Sequence, residues 1–404
     1  MCSAGRPANP RVWRLAAVLT IVAAACAPNG SVGPPPATTT PPPSTTSATA
    51  SPSAPCADAV FAQLTLPQRV GQLFALGLAG DQLGPDELEA IGSHHVGSVW
   101  FTETTTGGVS AVRAVADAVQ AQATDAATGG VRFYVAANQE GGEIQALRGA
   151  GFSKIPSAVT QGTFEPSALQ RDAARWGRQL SDAGVNLDFA PVMDVVPAGT
   201  EAQNQPIGVL HREFGSDPAT VADHGTAFIR GMSAAGIATT AKHFPGLGRV
   251  LGNTDNVAEV VDTVTTPTDP FLDSFQGAID AGVPFVMVAL ATYTQIDADH
   301  LAVFSATVMR LLRDTMGFDG VIVSDDLGAA TAVASIPPAR RAIDFLSAGG
   351  DLIVSKTVGA TEAMAEAVVA RASTNASFAA RVDDAVRRVL AAKDASGLLP
   401  CSSP

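Results

Sequence analysis

Polar and charged residues follow four of the chain's short apolar runs, and these are the places where the sequence could support chemistry. Each cluster contains at least one carboxylate or cation. A single polar residue after a strand usually caps the next helix, but four clusters together favour a polar binding pocket. The clusters are Asn138-Gln139-Glu140-Gly141-Gly142, Ala190-Pro191-Val192-Met193-Asp194, Lys242-His243-Phe244-Pro245-Gly246 and Ser324-Asp325-Asp326.

These clusters need a scaffold that brings strand ends together, and the rest of the chain has the pattern of one. From about residue 60, short apolar runs alternate with longer amphipathic segments. Several runs lack polar alternation, which is typical of parallel strands buried on both faces. The predicted strands are 73–78, 97–101, 133–138, 187–190, 239–243, 285–290, 321–325 and 352–354.

Helical patterns between the strands complete the prediction of the fold. Eight strands alternating with helices predict an α/β protein with a single (β/α)8 barrel, whose active site lies at the carboxyl ends of the strands. A doubly wound sheet is the alternative, but Gly246, Gly248 and Gly252 do not have dinucleotide-binding spacing. The predicted helices are 109–123, 167–183, 219–235, 270–281, 306–316, 338–348, 360–371 and 378–393.

The composition excludes several classes of protein. Of the 404 residues, 46% are hydrophobic and 16% are charged, which excludes a globally disordered chain. The formal net charge of −13 opposes binding to nucleic acid and to anionic surfaces. Four cysteines are too few for a disulfide-dense scaffold. We therefore expect a globular protein that has no nucleic-acid partner.

The N-terminal region has the pattern of an export signal followed by a tether. Residues 1–25 contain three arginines and then an apolar stretch that is too short for a stable membrane anchor. Small residues precede Cys26, as in a bacterial lipobox, where the cysteine becomes the acylated first residue; a plain secretory signal is the alternative. Residues 26–55 carry no charge and nine prolines, which predicts an extended tether.

Two cysteines bracket the folded region, which we expect to span residues 56–404. An exported chain meets an oxidising compartment, so a disulfide between Cys56 and Cys401 is expected. The pairing requires the two ends of the domain to meet, as closed barrels readily allow. Two independent free thiols are the alternative.

Three motifs resemble glycoside hydrolase family 3. They are similar, in order and spacing from about residue 65 to 395, to the single-domain β-N-acetylglucosaminidases of that family. Together with the N-terminal region, they resemble the exported lipoprotein branch found in actinobacteria. The motifs are Gln139-Glu140-Gly141-Gly142, Lys242-His243-Phe244-Pro245-Gly246 and Gly317-Phe318-Asp319-Gly320-Val321-Ile322-Val323-Ser324-Asp325-Asp326-Leu327.

The resemblance implies a retaining mechanism, in which a carboxylate attacks the anomeric carbon and water then resolves the covalent glycosyl-enzyme. By motif match, Asp325 is the nucleophile. Lys242 and His243 match a pair that hydrogen-bonds sugar hydroxyls, and Arg212 matches a sugar-contacting arginine. Asp194 matches the acidic residue that follows the fourth strand; it is placed with the substrate-binding residues, and a structural role is the alternative. No metal or cofactor is implied.

One loop departs from the family pattern at the position of the general acid/base. The family carries Asp-x-His there, whereas this chain has Asn253 at the aspartate position and Asp255 at the histidine position. A carboxyl group can perform that role when a dry site or a neighbouring charge raises its pKa. Asp255 is therefore the candidate acid/base, with a solvated loop residue as the alternative.

Further features of the predicted site concern substrate contacts and loop movement. Asn138 stands where the family usually has an aspartate that holds the outer hydroxyls of the sugar; an amide loses the charge-assisted part of such bonds. Gly246, Gly248 and Gly252 predict that the loop 246–256 moves over bound substrate.

These observations lead to an expected function. We expect a monomeric, retaining exo-β-N-acetylglucosaminidase that removes terminal N-acetylglucosamine from peptidoglycan-derived saccharides or muropeptides. A lipid on Cys26 would anchor it to the outer face of the cell membrane. The alternatives are another β-glycosidase or a glycoside phosphorylase on the same barrel, and a catalytically impaired sugar-binding lipoprotein. The chain ends just past the eighth helix, so no second α/β domain is expected.

Overall fold

Eight parallel strands form the barrel that the sequence predicts. The structure is a computed structural model and describes residues 56–401. The predicted signal peptide, the tether and the lipidation site Cys26 lie outside the described residues. The strands are β1 Phe74–Leu78, β2 Ser98–Phe101, β3 Tyr134–Ala137, β4 Leu187–Asp188, β5 Ala238–Phe244, β6 Phe285–Val288, β7 Val321–Ser324 and β8 Ile353–Ser355.

The strands pair in chain order, and the sheet closes on itself. Each strand from β1 to β7 pairs with the next along the chain, except that β7 meets β8 only through a bridge between Val323 and Leu352. There the Ser324 amide donates to the Leu352 carbonyl over 2.9 Å. Strand β1 pairs with both β2 and β8. The (β/α)8 fold is therefore confirmed.

The strands are buried on both faces, which explains why their sequences lack polar alternation. All residues of β1, β2, β3, β6 and β7 are buried. One face packs inside the barrel and the other packs against the surrounding helices. This burial is why the short apolar runs marked the strands so clearly in the sequence.

Thirteen α-helices lie within residues 56–401. Proline stands at the start of several, including Pro218, where the Asp217 side chain accepts from the Thr220 amide over 2.9 Å and caps the helix. The helices are α1 Cys56–Gln63, α2 Leu66–Gly71, α3 Pro85–His94, α4 Gly108–Gln120, α5 Asp125–Thr128, α6 Ala158–Gln161, α7 Pro166–Asp182, α8 Pro218–Ser233, α9 Asp273–Asp280, α10 Ala306–Arg310, α11 Pro338–Ala348, α12 Val358–Thr374 and α13 Ala376–Ala395.

Five of the thirteen helices, α1, α2, α3, α5 and α6, were not predicted from the sequence, and one predicted helix has a different form. Helix α3 was missed because it buries only Ala90, Ile91 and the Glu87 side chain, so its apolar stripe is weak. The predicted helix 306–316 is α10 followed by a π-helical turn, Leu311–Thr315. Within residues 56–401, no helix combines the length and apolarity needed to cross a bilayer.

A disulfide joins Cys56 in α1 to Cys401 beyond α13, with the two Cα atoms 5.8 Å apart. The ends of the described chain therefore meet, as the expected pairing required. Two further contacts hold α1 on α13: Arg387 pairs with Asp58 and also lies over the Phe61 ring, 3.8 Å from its centroid.

A buried lysine at the amino end of the barrel has all its hydrogen-bond partners within the protein. Lys393 of α13 donates to the Gln72 side chain and to the carbonyls of Gly97 and Arg132, over 2.7–2.9 Å. These three acceptors precede β1, β2 and β3. Burial lowers the pKa of Lys393 to about 7. Lys393 thus ties the last helix to the starts of three strands.

Candidate active site

A cavity of about 510 Å³ opens at the carboxyl ends of the barrel strands. It brings together seven of the residues singled out from the sequence, which lie far apart along the chain. A polar pocket at this end is what a barrel enzyme requires. The seven residues are Asn138, Arg212, Lys242, His243, Asn253, Asp255 and Asp325.

Asp325 lines the cavity directly after β7. Its amide donates to the Val288 carbonyl of β6 over 3.2 Å, which extends the sheet pairing to this residue. The side chain is half-buried, and its Oδ1 accepts from the Asp326 amide over 2.8 Å. The carboxylate is therefore mounted on a strand end and faces the pocket, as a nucleophile needs.

The neighbouring Asp326 also lines the cavity, but its hydrogen bonds are those of a turn residue. Its Oδ1 accepts from the amides of Gly328 and Lys356, over 2.7 and 2.9 Å. These bonds shape the turn after β7 and link it to the segment after β8. Of the two adjacent carboxylates, Asp325 is the one without a structural set of amide donors.

A buried charge cluster forms the wall of the cavity opposite β7. Arg212 donates through Nε and Nη2 to the two oxygens of Glu140, each over 2.8 Å, and Lys242 Nζ lies 2.7 Å from Glu140 Oε1. Burial alone would raise the pKa of Glu140, but the charges of Arg212 and Lys242 outweigh it and lower the pKa to about 2. Glu140 is therefore ionised and fixes both cations.

Asn138 belongs to the same cluster. Lys242 Nζ donates to Asn138 Oδ1 over 2.8 Å, so the lysine is shared between an amide and a carboxylate. The amide keeps a direct bond to Lys242 where the family usually has a carboxylate. Asn138 and Lys242 thus line the cavity together and are joined by a hydrogen bond.

His243 and Asp194 form a second pair, in which His243 lines the cavity and Asp194 does not. Its Oδ2 lies 2.8 Å from His243 Nδ1, and its Oδ1 accepts from the Leu247 amide over 2.7 Å. Asp194 is fully buried and is not part of the cavity lining. The structure therefore places Asp194 where it orients His243 and the following loop, not where it could contact the sugar as the sequence prediction had it.

Asp255 reaches the cavity from the loop after β5. Its carboxyl is exposed at the open mouth, but the cavity walls surround it. Burial by the cavity walls is the main cause that raises the pKa of Asp255, and the negative charge of Asp325 raises it further, while the charges of His243 and Arg212 oppose the rise. Asn253 Oδ1 accepts from the Asp255 amide over 2.9 Å and shapes the turn. The two carboxyl groups assigned opposite roles therefore share one site.

The loop that carries Asp255 is anchored at its start. Asn204 Nδ2 donates to the carbonyls of Leu247 and Val250, each over 2.7 Å. A Cβ atom at Gly248 would lie 1.8 Å from the Val195 carbonyl oxygen, so close packing requires this glycine. The predicted mobility of the loop stays a prediction, but Gly248 has a packing role.

The far end of the loop rests on the segment after β7. Thr331 Oγ1 donates to the Asp255 carbonyl over 2.7 Å, and the Ala332 amide donates to the Thr254 carbonyl over 3.0 Å. These bonds hold Asp255 on the same side of the cavity as Asp325. Between the two anchors, the side chain of Leu251 is 66% exposed, while its carbonyl accepts from the Gln205 amide over 3.2 Å.

Several cavity residues were not singled out from the sequence. Trp100 and Phe189 pack edge to face, with ring centroids 6.1 Å apart, and give the cavity an apolar side. Lys356 and Thr102 follow β8 and β2 and also line it. Their position at strand ends was a usable signal, whereas the role of Glu140 depends on partners that are distant in the chain.

The described residues show no arrangement typical of a metal centre. Within residues 56–401, no three histidine, cysteine, aspartate or glutamate side chains converge as metal ligands would. The cavity instead offers hydrogen-bond donors, acceptors and an apolar side, which is the lining that a saccharide needs.

Comparison with known proteins agrees with this arrangement. Residues 65–392 match the model of the glycosyl hydrolase family 3 N-terminal domain, which covers most of the chain. The chain belongs to glycoside hydrolase family 3. Among solved structures, it is similar to a β-N-acetylhexosaminidase from Beutenbergia cavernae, with a TM-score of 0.81 and 50% identity, covering 82% of this chain and 98% of that one.

Other relatives of this family 3 chain are more distant. A β-hexosaminidase from Vibrio cholerae is 35% identical over 225 residues, which is 55% of this chain and 65% of the Vibrio protein. One from Xanthomonas oryzae is 28% identical and covers 70% of this chain and 83% of its own length. The structure of LpqI from Mycobacterium tuberculosis has a TM-score of 0.72 at 26% identity, covering 83% of this chain and 95% of that one.

Proposed function

We propose that the protein is a retaining exo-β-N-acetylglucosaminidase that works through a covalent glycosyl-aspartate intermediate. The observation that carries the proposal is the placement of Asp325 and Asp255 in one cavity, beside a buried cluster of polar side chains. Retaining glycosidases use two carboxyl groups in this way, one as nucleophile and one as acid/base. The names of the relatives support N-acetylhexosamine as the sugar.

In the first step, an Asp325 oxygen attacks the anomeric carbon and the bond to the leaving-group oxygen breaks. Asp255 gives its proton to that oxygen, so the aglycone departs as an alcohol. In the second step, water attacks the anomeric carbon of the glycosyl-aspartate while Asp255 takes up a proton. The sugar leaves with its original configuration, and both carboxyl groups return to their starting states.

The environments of the two carboxyl groups fit these different roles. The raised pKa of Asp255 favours the protonated form that the first step requires. Formation of the glycosyl ester removes the negative charge of Asp325. Asp255, which has given up its proton, is then the only ionised carboxyl group of the pair. The coupling that raises the pKa of Asp255 therefore weakens at the moment when it must act as a base.

The donors at the other side of the cavity suit the hydroxyls of the sugar. Asn138, Arg212, Lys242 and His243 all line it, and their positions are fixed by Glu140 and Asp194. Preformed donors of this kind lose little entropy on binding. We propose that they hold the terminal N-acetylglucosamine while its anomeric carbon faces Asp325.

The proposed setting is the cell envelope. The N-terminal sequence supports export and a lipid on Cys26. The relatives' names support a terminal N-acetylhexosamine as the sugar removed, and the envelope setting leads us to propose peptidoglycan-derived glycans as its source. We propose a monomer anchored at the outer face of the membrane. Replacing Cys26 by alanine should move the protein from the membrane fraction to the soluble fraction; unchanged fractionation would contradict the lipid anchor.

The reaction is tested with an aryl β-N-acetylglucosaminide and three proteins: the unaltered chain, Asp325→Ala and Asp255→Ala. The unaltered chain should release the β-anomer first, as seen by NMR. Azide should rescue Asp325→Ala by giving the α-glycosyl azide, because it replaces the nucleophile directly. Azide should rescue Asp255→Ala by giving the β-azide, because it intercepts the intermediate.

Two outcomes would redirect the proposal. If the unaltered chain releases the α-anomer first, the mechanism is not retaining. If phosphate accelerates turnover and the sugar 1-phosphate accumulates, the protein is a phosphorylase on the same barrel. A lack of turnover of β-N-acetylglucosaminides and β-glucosides, with and without phosphate, would leave sugar binding as the function.

A further inference from the structure

Most of the large aliphatic side chains that the described chain exposes lie on one segment. Within residues 56–401, seven large apolar side chains are exposed, and four of them lie on the segment between β5 and α9. Exposed apolar residues are normally scattered singly over a surface, whereas a concentrated set marks a binding surface. We call this set the aliphatic patch; it consists of Leu251, Val257, Val261 and Val264.

The aliphatic patch begins beside the candidate acid/base. Residues 253–255, which include that carboxyl group, line the catalytic cavity and lie between Leu251 and Val257 along the chain. The carbonyl of Leu251 accepts over 3.2 Å from the amide of the residue before Pro206, and Pro206 also lines the cavity. The patch therefore borders the cavity mouth where the candidate acid/base is mounted.

The backbone of the patch is held in place by the protein itself. The amide of Val257 donates to the Asn253 carbonyl over 2.9 Å and closes the turn between them. Val261 lies in a short strand that pairs with the strand Thr292–Tyr293, and the amide of Val264 donates to an Asp262 carboxylate oxygen over 2.7 Å. A surface that is already formed loses little entropy when a ligand binds.

The reaction decides which part of a substrate reaches this surface. Asp255 gives its proton to the oxygen of the leaving group, so the aglycone begins at Asp255 and extends away from the sugar. The segment 251–264 also carries Asp255, Glu259 and Asp262 and no lysine or arginine. This charge opposes contact with an anionic lipid surface, which basic segments favour. A neutral aglycone is therefore the occupant that both position and charge suit.

We propose that the aliphatic patch is an aglycone-binding surface, which makes the protein act on β-N-acetylglucosaminides whose aglycone is neutral and apolar, such as an alkyl chain. The assignment rests on the proposed function, since it supposes that the sugar occupies the catalytic cavity. Leu251 and Val257 contact the first carbons of the aglycone, and Val261 and Val264 extend the surface for longer chains. The substrate class then includes amphiphilic glycosides as well as polar glycans.

The test measures affinity, so that it does not depend on turnover. The ligands are methyl, butyl and octyl 1-thio-β-N-acetylglucosaminides, whose sulfur linkage resists hydrolysis, and a tri(ethylene glycol) thioglycoside as the polar counterpart of the octyl ligand. Calorimetry with the full chain gives each Kd. We expect Kd to fall about twofold for each added methylene, because full burial of a methylene would give about fourfold. The butyl-to-octyl ratio of Kd values is then about tenfold to twentyfold, and the polar ligand should bind like the methyl one.

Two substitutions remove apolar surface from the patch at exposed positions, where folding does not depend on it. Leu251→Asn should lower the butyl-to-octyl ratio about threefold or more, and Val257→Thr should lower it less, because it replaces a single methyl group. Leu88→Asn, which changes an exposed leucine on α3, is the matched control and should leave the ratio unchanged. The heat capacity of binding should become more negative with chain length, and less so in Leu251→Asn.

Equal Kd values for the butyl, octyl and polar ligands, or a ratio that Leu251→Asn does not change, would overturn the aglycone surface. Equal Kd values together with binding to phosphatidylcholine vesicles that Leu251→Asn weakens would assign the patch to a membrane instead. Failure of the proposed function gives a different result. In that case the unaltered chain does not hydrolyse an aryl β-N-acetylglucosaminide, while the series of Kd values still decides whether the patch binds alkyl groups.

Discussion

The barrel buries one lysine at each of its ends, and the two are held in different ways. Lys242, at the carboxyl end, lies between the carboxylate of Glu140 and the amide of Asn138 and faces the cavity. Lys393, at the amino end, donates only to neutral oxygens and is completely enclosed. The same residue type thus lines the candidate active site at one end of the barrel and ties a helix to three strand starts at the other.

The groups that surround the two lysines explain why one lies beside an open cavity and the other is enclosed. At the carboxyl end, Glu140 and the cations Lys242 and Arg212 compensate one another, so charge can be kept beside an open cavity. At the amino end, burial is not compensated by a carboxylate, and the pKa of Lys393 is lowered to about 7. Substitutions that remove each ammonium group should therefore separate activity from stability.

The largest effect on activity should come from Lys242→Met, which keeps the length of the side chain and removes its charge. We expect kcat/KM to fall by about 10²-fold or more, because a preorganised donor in the cavity is lost. The free energy of unfolding should fall by less than about 2 kcal/mol, because Arg212 still neutralises Glu140. Steady-state kinetics and chemical denaturation measure the two quantities. A near-normal kcat/KM would show that Lys242 does not contribute to the reaction.

The matched substitution Lys393→Met should do the reverse. It leaves three buried oxygens without their donor, so the free energy of unfolding should fall by about 2–4 kcal/mol. The kcat/KM of the folded protein should change less than about twofold, since Lys393 lies at the opposite end of the barrel. A loss of activity without a loss of stability would break the comparison.

The pH dependence sharpens this prediction for Lys393. Between its folded pKa of about 7 and the ordinary lysine value of 10.5, the native state binds fewer protons than the unfolded state. Stability in the parent should therefore rise with pH through this window. In Lys393→Met this rise should be absent, and denaturation midpoints measured from pH 7 to 10 show whether it is.

The sequence was informative where local pattern decides structure. Short, mostly apolar runs marked most of the strands, since both faces of the strands are buried, and strand ends then located Asp325 and Lys242. The weak apolar stripe of α3 gave no comparable signal. Lys393 would be expected on an exposed helix face, and only the packing of α13 under three strands shows that it is buried.

Pairing between distant residues was beyond the sequence pattern. Glu140 and Arg212 are 72 positions apart, and Asp194 and His243 are 49 apart. Nothing local distinguishes a carboxylate that orients a histidine from one that contacts a sugar, which is why Asp194 was placed with the substrate-binding residues. The closed barrel decides this, because it sets which strand ends are neighbours.

A smaller effect is expected from the acid response of Glu140. Its pKa is about 2 in the folded protein against 4.5 ordinarily, so its stabilising contribution is present above 4.5 and is lost as pH falls towards 2. The contribution is about 3 kcal/mol. Glu140→Gln should flatten acid unfolding over this range, whereas Glu143→Gln should not, because Glu143 is exposed in the turn between the short strands Gln139–Gly141 and Ile144–Gln145. Identical acid limbs in both variants would contradict the charge cluster.

A pH response of the opposite sign is expected from Asp188. It lies fully buried at the end of β4; Oδ1 accepts from the Gln139 amide over 2.9 Å, and Oδ2 has no hydrogen-bond partner within residues 56–401. Burial raises its pKa to about 7, although Lys242 opposes the rise. Between pH 4 and 7 the native state therefore binds more protons than the unfolded state, and this group makes stability fall as pH rises.

The substitution Asp188→Asn keeps an oxygen for the Gln139 amide and removes the titration. Linkage from the shifted pKa makes the gain of the variant over the parent about 2–3 kcal/mol larger at pH 8 than at pH 5. Denaturation midpoints at the two pH values measure the difference. If the stability of the variant and of the parent changes in parallel from pH 5 to 8, Asp188 is ionised throughout this range. The positive charge of Lys242 then stabilises the Asp188 carboxylate more strongly than its direct bonds to Glu140 and Asn138 indicate.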